Sequence, residues 1–231
     1  MAVHSRPTLL LTRTRAASER FAQGLEGVDV VIAPLMEIVG IGDAVTLDGV
    51  SGLILTSENA VPFLPQARLP AFCVGPRTAE AANAAGFVAE VLGPDADGLV
   101  AAFSAHAPEG PLLHVHGVHT RGDVAGRLRK AGHDVREQAV YAQNDLPPGP
   151  EFHKAMGCSE LIVPLFSPRS AKRFAKAMGH SPDQMTLFAM SPAVKQALPD
   201  ALHARTHVLA HPTGAEMHEA VKRCGMRRNS P

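Results

Sequence analysis

The chain has no tryptophan, one tyrosine and nine phenylalanines in 231 residues, so it lacks the aromatic platforms on which single-stranded nucleic acids stack. Basic and acidic residues number 22 each, and this balance argues against a general nucleic-acid or membrane-surface binder, which needs a phosphate-neutralising excess of Lys and Arg. No apolar run approaches the ~20 residues of a membrane span. Residues 1–11 show neither the long apolar stretch nor the small-residue cleavage site of a signal peptide, so a cytoplasmic protein is expected. Cysteine is scarce: Cys73, Cys158 and Cys224 are odd in number and far apart, which fits reduced thiols better than a disulfide framework or a zinc site. What remains is a globular composition, 45% apolar and 19% charged, long enough for one large domain or two modest ones.

Signatures of common chemistries are also missing. Val74-Gly75-Pro76-Arg77 lacks the further glycines of a dinucleotide fingerprint and there is no Walker sequence, which disfavours NAD and ATP. No Gly-x-Ser-x-Gly elbow occurs, and no Cys stands in a recognisable nucleophile context. His114, His116 and His119 form a cluster, but two of them alternate on one strand and no acidic or thiol residue has matching spacing. No metal site is expected.

Ten short runs rich in Val, Ile and Leu alternate with Ala-rich helical stretches, the pattern of strands and helices in a mostly parallel sheet. They begin at Leu9, Val28, Gly52, Ala71, Val88, Leu112, Val135, Leu161, Leu187 and His207. Ten strands are too many for one ordinary open sheet, so two sheets of about five are expected. An internal repeat supports the split. Phe72-Cys73-Val74-Gly75-Pro76 aligns with Phe188-Ala189-Met190-Ser191-Pro192, Leu55-Thr56-Ser57 aligns with Leu165-Phe166-Ser167, and Leu9 to Arg13 echoes Leu112 to His116. The predicted organisation is one discontinuous α/β domain from residues 1–34 and 144–231, with a second inserted at 44–137. Residues 35–43 and 138–143 are the crossing segments, able to pair as a two-stranded ladder and act as a hinge.

Ligands of such domains sit at the carboxyl ends of the strands. There the sequence places Thr12 and Arg13, Ser57, Arg77 and Thr78, Arg121, Ser167 and Arg169, and Ser191. Any one hydroxyl here is explained as a helix N-cap. Their recurrence beside helix starts, with arginines able to fork a carboxylate, points to a polyanionic ligand. Tyr141, the only tyrosine, falls in the second crossing segment. It is either an amphipathic ring packed on the ladder or a phenol that donates a hydrogen bond or proton.

In order and spacing, Leu11-Thr12-Arg13, Pro34-Leu35, Leu55 to Val61, Val74 to Ala79, Gly117 with Arg121-Gly122, Val140-Tyr141, Phe166-Ser167-Pro168 and Pro212-Thr213 resemble the uroporphyrinogen-III synthase family over nearly the whole chain. The resemblance implies two similar flavodoxin-like α/β domains of parallel sheet joined by a two-stranded β-ladder. It also implies a cofactor-free cyclising lyase, with no cofactor and no required partner, taken as a monomer. Its substrate is hydroxymethylbilane, a flexible polyanion, closed to uroporphyrinogen III in tetrapyrrole and heme biosynthesis with loss of water and inversion of ring D through a spiro intermediate. Tyr141 matches the family's hinge-region tyrosine and would assist departure of the hydroxyl as general acid or hydrogen-bond donor; Ser57, Thr78, Ser167 and Ser191, with neighbouring backbone N–H groups, would bind side-chain carboxylates or the pyrrole rim. Arg13, Arg77, Arg121 and Arg169 join them on charge. Two positions depart from the pattern: Thr14 stands where the family often has Pro, and Val194 where a hydroxyl is expected. A non-catalytic two-domain sensor for an anionic metabolite is the alternative from another class.

Overall fold

The computed structural model describes residues 6–105, 108–120, 122–179, 182 and 184–228. In chain order the elements are β1 (Thr8–Leu11), α1 (Arg15–Ala22), β2 (Asp29–Ile32), β3 (Met36–Gly40), β4 (Gly52–Leu55), β5 (Pro70–Val74), α2 (Pro76–Ala84), β6 (Val88–Gly93), α3 (Ala96–Ala105) and β7 (Leu112–Gly117). They continue with α4 (Val124–Lys130), β8 (Val135–Asp145), α5 (Pro150–Met156), β9 (Glu160–Leu165), α6 (Pro168–Met178), β10 (Gln184–Ala189), α7 (Pro192–Gln196), β11 (Thr206–Val208) and α8 (Gly214–Arg228). Each of the ten apolar runs contains or overlaps a strand, and the eleventh strand, β3, lies in the first crossing segment.

Two compact units result, one of Met1–Glu37 with Asn144–Pro231 and one of Ile38–Gln143. The first holds a five-stranded parallel sheet in the order β2-β1-β9-β10-β11. The second holds β6-β5-β4-β7-β8, also parallel, with β3 added beside β8. Central strands are apolar throughout because helices cover both faces: β1 is Thr-Leu-Leu-Leu and β4 Gly-Leu-Ile-Leu, every residue buried. In the first unit Leu10, Leu161 and Val163 face α5 and α6, while Leu9, Leu11 and Ile162 face α8. In the second, Leu53, Leu55 and Val115 face α2, while Ile54 and Leu112 face α3 and α4.

The segments that cross between the units pair with each other. Ile41 N–H donates to Val140 O at 2.9 Å and Leu146 N–H to Leu35 O at 3.0 Å, so partners advance on one segment as they retreat on the other. That register is antiparallel.

Matching the sheets by position pairs β2 with β8, β1 with β7, β9 with β4, β10 with β5, and β11 with β6. Three of these pairs, β1 with β7, β9 with β4 and β10 with β5, are the ones that the internal repeat aligns. Counted along the chain, however, the orders differ: 2-1-3-4-5 in the first unit, the flavodoxin order, and 3-2-1-4-5 in the second. The two are one layout circularly permuted, because the pair β1–β2 opens the first unit whereas its counterpart β7–β8 closes the second.

Candidate active site

In the second unit, four of the sequence-predicted residues gather at the carboxyl end of the sheet. Ser57 follows β4 and caps the 3-10 turn Glu58–Phe63, its hydroxyl accepting from Asn59 N–H at 3.3 Å. Gly75 ends β5 with φ +73°, a left-handed turn that glycine enters without strain, and Pro76 then occupies the first position of α2. The next two residues differ in setting. Arg77 is exposed, and Thr78 is buried within the first helical turn. Arg121 lies outside the described residues.

Tyr141 stands where the register of β8 slips against β7: His116 pairs with Ala139 but Gly117 with Tyr141, leaving Val140 as the extra residue of a bulge. The ring is only 6% exposed. It stacks on Phe63 with centroids 6.3 Å apart and planes 17° apart, and it packs closely against Gly117. Packing thus fixes the phenol, while no described residue hydrogen-bonds its hydroxyl. The ring belongs to the core of its unit, packed in the cluster with Leu53, Leu55 and Val115.

In the first unit, Thr12 ends β1 and is buried. Arg13 places its guanidinium 4.4 Å from the centre of the Phe166 ring, a cation–π contact that ties the loop after β1 to the loop after β9. Ser167 caps α6 reciprocally with Ser170: Ser170 N–H donates to Ser167 Oγ at 3.1 Å and Ser167 N–H to Ser170 Oγ at 3.0 Å. Ser191 stands at the start of the short α7 and makes no side-chain cap bond. Val194, where the family pattern expects a hydroxyl, is buried in the core against α5 and α6. Helices α1, α2, α6 and α7 all begin at strand ends, where the positive end of each helix dipole favours negative charge.

Asp145 is a partner that sequence reasoning missed. Its carboxylate takes Arg173, a residue of α6 only 9% exposed, in a close ion pair, and Arg169 at 3.7 Å. The hydrogen bond from Arg173 holds the Asp145 carboxyl below the usual range, with the charges of Arg173, Arg169 and Lys176 adding to it. Arg173 also reaches Met36 Sδ at 3.3 Å, beside a groove of about 320 Å³ lined by Leu35, Asp145, Leu146, Pro147 and Lys176. No sequence spacing announces this pairing, because the partners are 28 residues apart on different elements.

The family's sequence profile, described as uroporphyrinogen-III synthase HemD, matches residues 19–219. The chain belongs to the uroporphyrinogen-III synthase family. It is similar to the crystal structure of uroporphyrinogen-III synthetase from Helicobacter pylori at 14% identity, with 95% of this chain and all of that one covered and a TM-score of 0.67. That likeness shows the fold. The synthase from Thermus thermophilus matches at 16% identity over 97% of this chain and all of its own, with a TM-score of 0.39. No curated protein matches the chain. Family membership makes this a cyclising, lyase-type enzyme of tetrapyrrole biosynthesis acting on a small molecule. Among the described residues, no helix is long and apolar enough to cross a membrane.

Proposed function

We propose that the protein is a cytoplasmic, monomeric, cofactor-independent uroporphyrinogen-III synthase whose two compact units are its two domains. Hydroxymethylbilane binds by its acetate and propionate groups. Ser57, Thr78, Ser167, Ser191 and Thr12, with neighbouring helix N–H groups, receive the carboxylates, and Arg13, Arg77, Arg121 and Arg169 supply positive charge.

Tyr141 acts as the general acid. Its phenol gives a proton to the ring-A hydroxyl as the C–O bond breaks, so the group leaves as water while the pyrrole nitrogen supplies the electrons and becomes an azafulvene. The substituted carbon of ring D attacks that carbon, the spiro intermediate breaks and rejoins with ring D inverted, and loss of a ring-D proton restores aromaticity. The bilane closes in water without inversion, so the protein contributes orientation and exclusion of water more than reactivity.

The observation carrying this reading is the fixed Tyr141 ring with its unshared hydroxyl at the strand ends. The test incubates the enzyme with freshly generated hydroxymethylbilane, oxidises the products and separates the uroporphyrin isomers. Predominant type III is expected. Only type I at the spontaneous rate would move the protein to the sensor reading. Tyr141→Phe should cut turnover more than ~10-fold without loss of thermal stability; unchanged turnover would remove the acid role.

A further inference from the structure

His114 and His116 lie on the same face of β7, and the parallel register sets Glu137 of β8 directly beside His114. One donor atom from each of the three lies within 4.8 Å of the other two. Sequence spacing conceals the group, because its carboxylate comes from the adjacent strand.

Hydrogen bonding assigns the lone pairs. His116 Nδ1 sits 2.7 Å from Gly117 O, and since a carbonyl only accepts, Nδ1 carries a proton and Nε2 is the nitrogen left to ligate. That Nε2 is buried, has no hydrogen-bond partner and lies 3.8 Å from Glu137 Oε2. His114 is 2% exposed; its Nε2 lies 3.4 Å from Thr56 Oγ1, and its buried Nδ1 has no partner. Buried imidazole nitrogens without partners are rare in native folds, because each forfeits its hydration with nothing in return.

We propose that His114, His116 and Glu137 bind a divalent transition-metal ion, Zn²⁺ foremost, through the unpaired imidazole nitrogens and Glu137 Oε2. Two imidazoles and one carboxylate form a donor set typical of four-coordinate zinc, with water in the fourth position. The outer contacts fit as well. Gly117 O fixes the His116 tautomer, Thr56 Oγ1 meets His114, and Arg129 Nη2 holds Glu137 Oε1 at 3.1 Å. The positive charge of Arg129 opposes the ion, so the expected dissociation constant is on the order of micromolar, weaker than that of structural zinc sites. The ion plays no part in the cyclisation. Tyr141 packs into the cluster of Leu53, Leu55 and Val115, which the other face of β4 and β7 forms. Zinc instead clamps β7 to β8 at the strand end that precedes Val118 to Thr120.

The full chain, stripped with a chelator and dialysed, is titrated with ZnCl₂ by calorimetry and with CoCl₂ by visible absorption. One ion per chain is expected, with Co²⁺ giving the intense visible bands of a four-coordinate site and Zn²⁺ raising the melting temperature. His116→Asn and Glu137→Gln, each checked for native circular dichroism, should weaken binding by ~10-fold or more and abolish the cobalt bands. Absence of binding at ~100 µM zinc, far above the expected constant, overturns the proposal. So does binding unchanged by both substitutions, which would place the ion elsewhere and leave His116 and Glu137 as an ordinary ion pair.

Discussion

Replacing Gly117 by alanine sets two known effects against each other. A β-carbon there meets Cε2 and Cζ of Tyr141 at 2.6 Å each and the hydroxyl oxygen at 3.0 Å, distances that real β-carbons almost never show. The ring is hemmed in, because it is buried and stacked on Phe63 and the bulged backbone of β8 fixes its root. Gly117 is not among the positive-φ glycines, so alanine strains no backbone dihedral and by itself would gain about 0.4–1 kcal/mol by restricting the unfolded chain. Overpacking of this kind costs about 1–3 kcal/mol, so the clash wins by roughly 1–2 kcal/mol. At about 2–4 °C per kcal/mol for a chain of this size, the melting temperature should fall by roughly 2–8 °C. A double-mutant cycle identifies the cause. Tyr141→Phe keeps both ring carbons and should not relieve the Gly117→Ala penalty, whereas Tyr141→Ala removes them. In that background Gly117→Ala should be neutral or stabilising, giving a coupling energy of about 1–3 kcal/mol. Denaturant unfolding of the four variants measures it. Additivity within ~0.5 kcal/mol would refute the claim that Gly117 is small in order to seat Tyr141.

Asp145→Asn should destabilise the protein by about 1 kcal/mol or less near neutrality, because a side chain 65% exposed is well screened by solvent. The folded-state pKa is depressed, so the carboxylate's contribution is present above its ordinary value of 3.8 and is lost as pH falls through the lower folded value. Wild-type and variant stabilities, measured by denaturant unfolding over acid pH, should therefore converge at the acid end, and a gap that widens on acidification would count against the pairing. Thr78→Val copies the residue found at the matching position, Val194, which is also buried. It should raise KM for the bilane several-fold while changing stability by about 1 kcal/mol or less; an unchanged KM would take Thr78 out of carboxylate binding.

Much of the architecture is legible in the sequence because central parallel strands are buried on both faces. Thr8 to Leu11, Gly52 to Leu55 and Leu161 to Leu165 are continuous apolar runs for that reason. Helix starts are equally plain where Gly75-Pro76, Ser167-Pro168 and Ser191-Pro192 supply a cap and then a residue with preset φ. β3 is harder to read, since Met36 to Gly40 is half-exposed and its pairing is set by distant β8. The site divides along the same line. Hydroxyls at strand ends follow from element order alone. By contrast, the stacking of Phe63 on Tyr141, the pairing of Asp145 with Arg173 and the approach of Glu137 to His116 need two or more elements in register, which no local pattern encodes.

Circular permutation explains why both units offer the same chemistry although the chain enters them differently. A ligand crevice forms where neighbouring strands send their connections to opposite faces of the sheet, and that place depends on the spatial layout rather than on where the chain begins. It falls between β1 and β9 in the first unit and between β7 and β4 in the second, which are matching positions. Ser167 follows β9 and Ser57 follows β4, so the aligned serines occupy equivalent places, and each accepts a backbone N–H at the start of a helical turn. Cutting the layout at a different point leaves these serines in place while changing what comes next along the chain. In the second unit β8 comes last and continues into the crossing ladder, whereas its counterpart β2 is an ordinary four-residue edge strand. The extra length of β8 carries Tyr141 to the strand ends of its unit. The hydroxyl pattern therefore comes in two copies and the tyrosine in one, an asymmetry that the proposed roles require: many similar carboxylates to hold, but a single hydroxyl to expel.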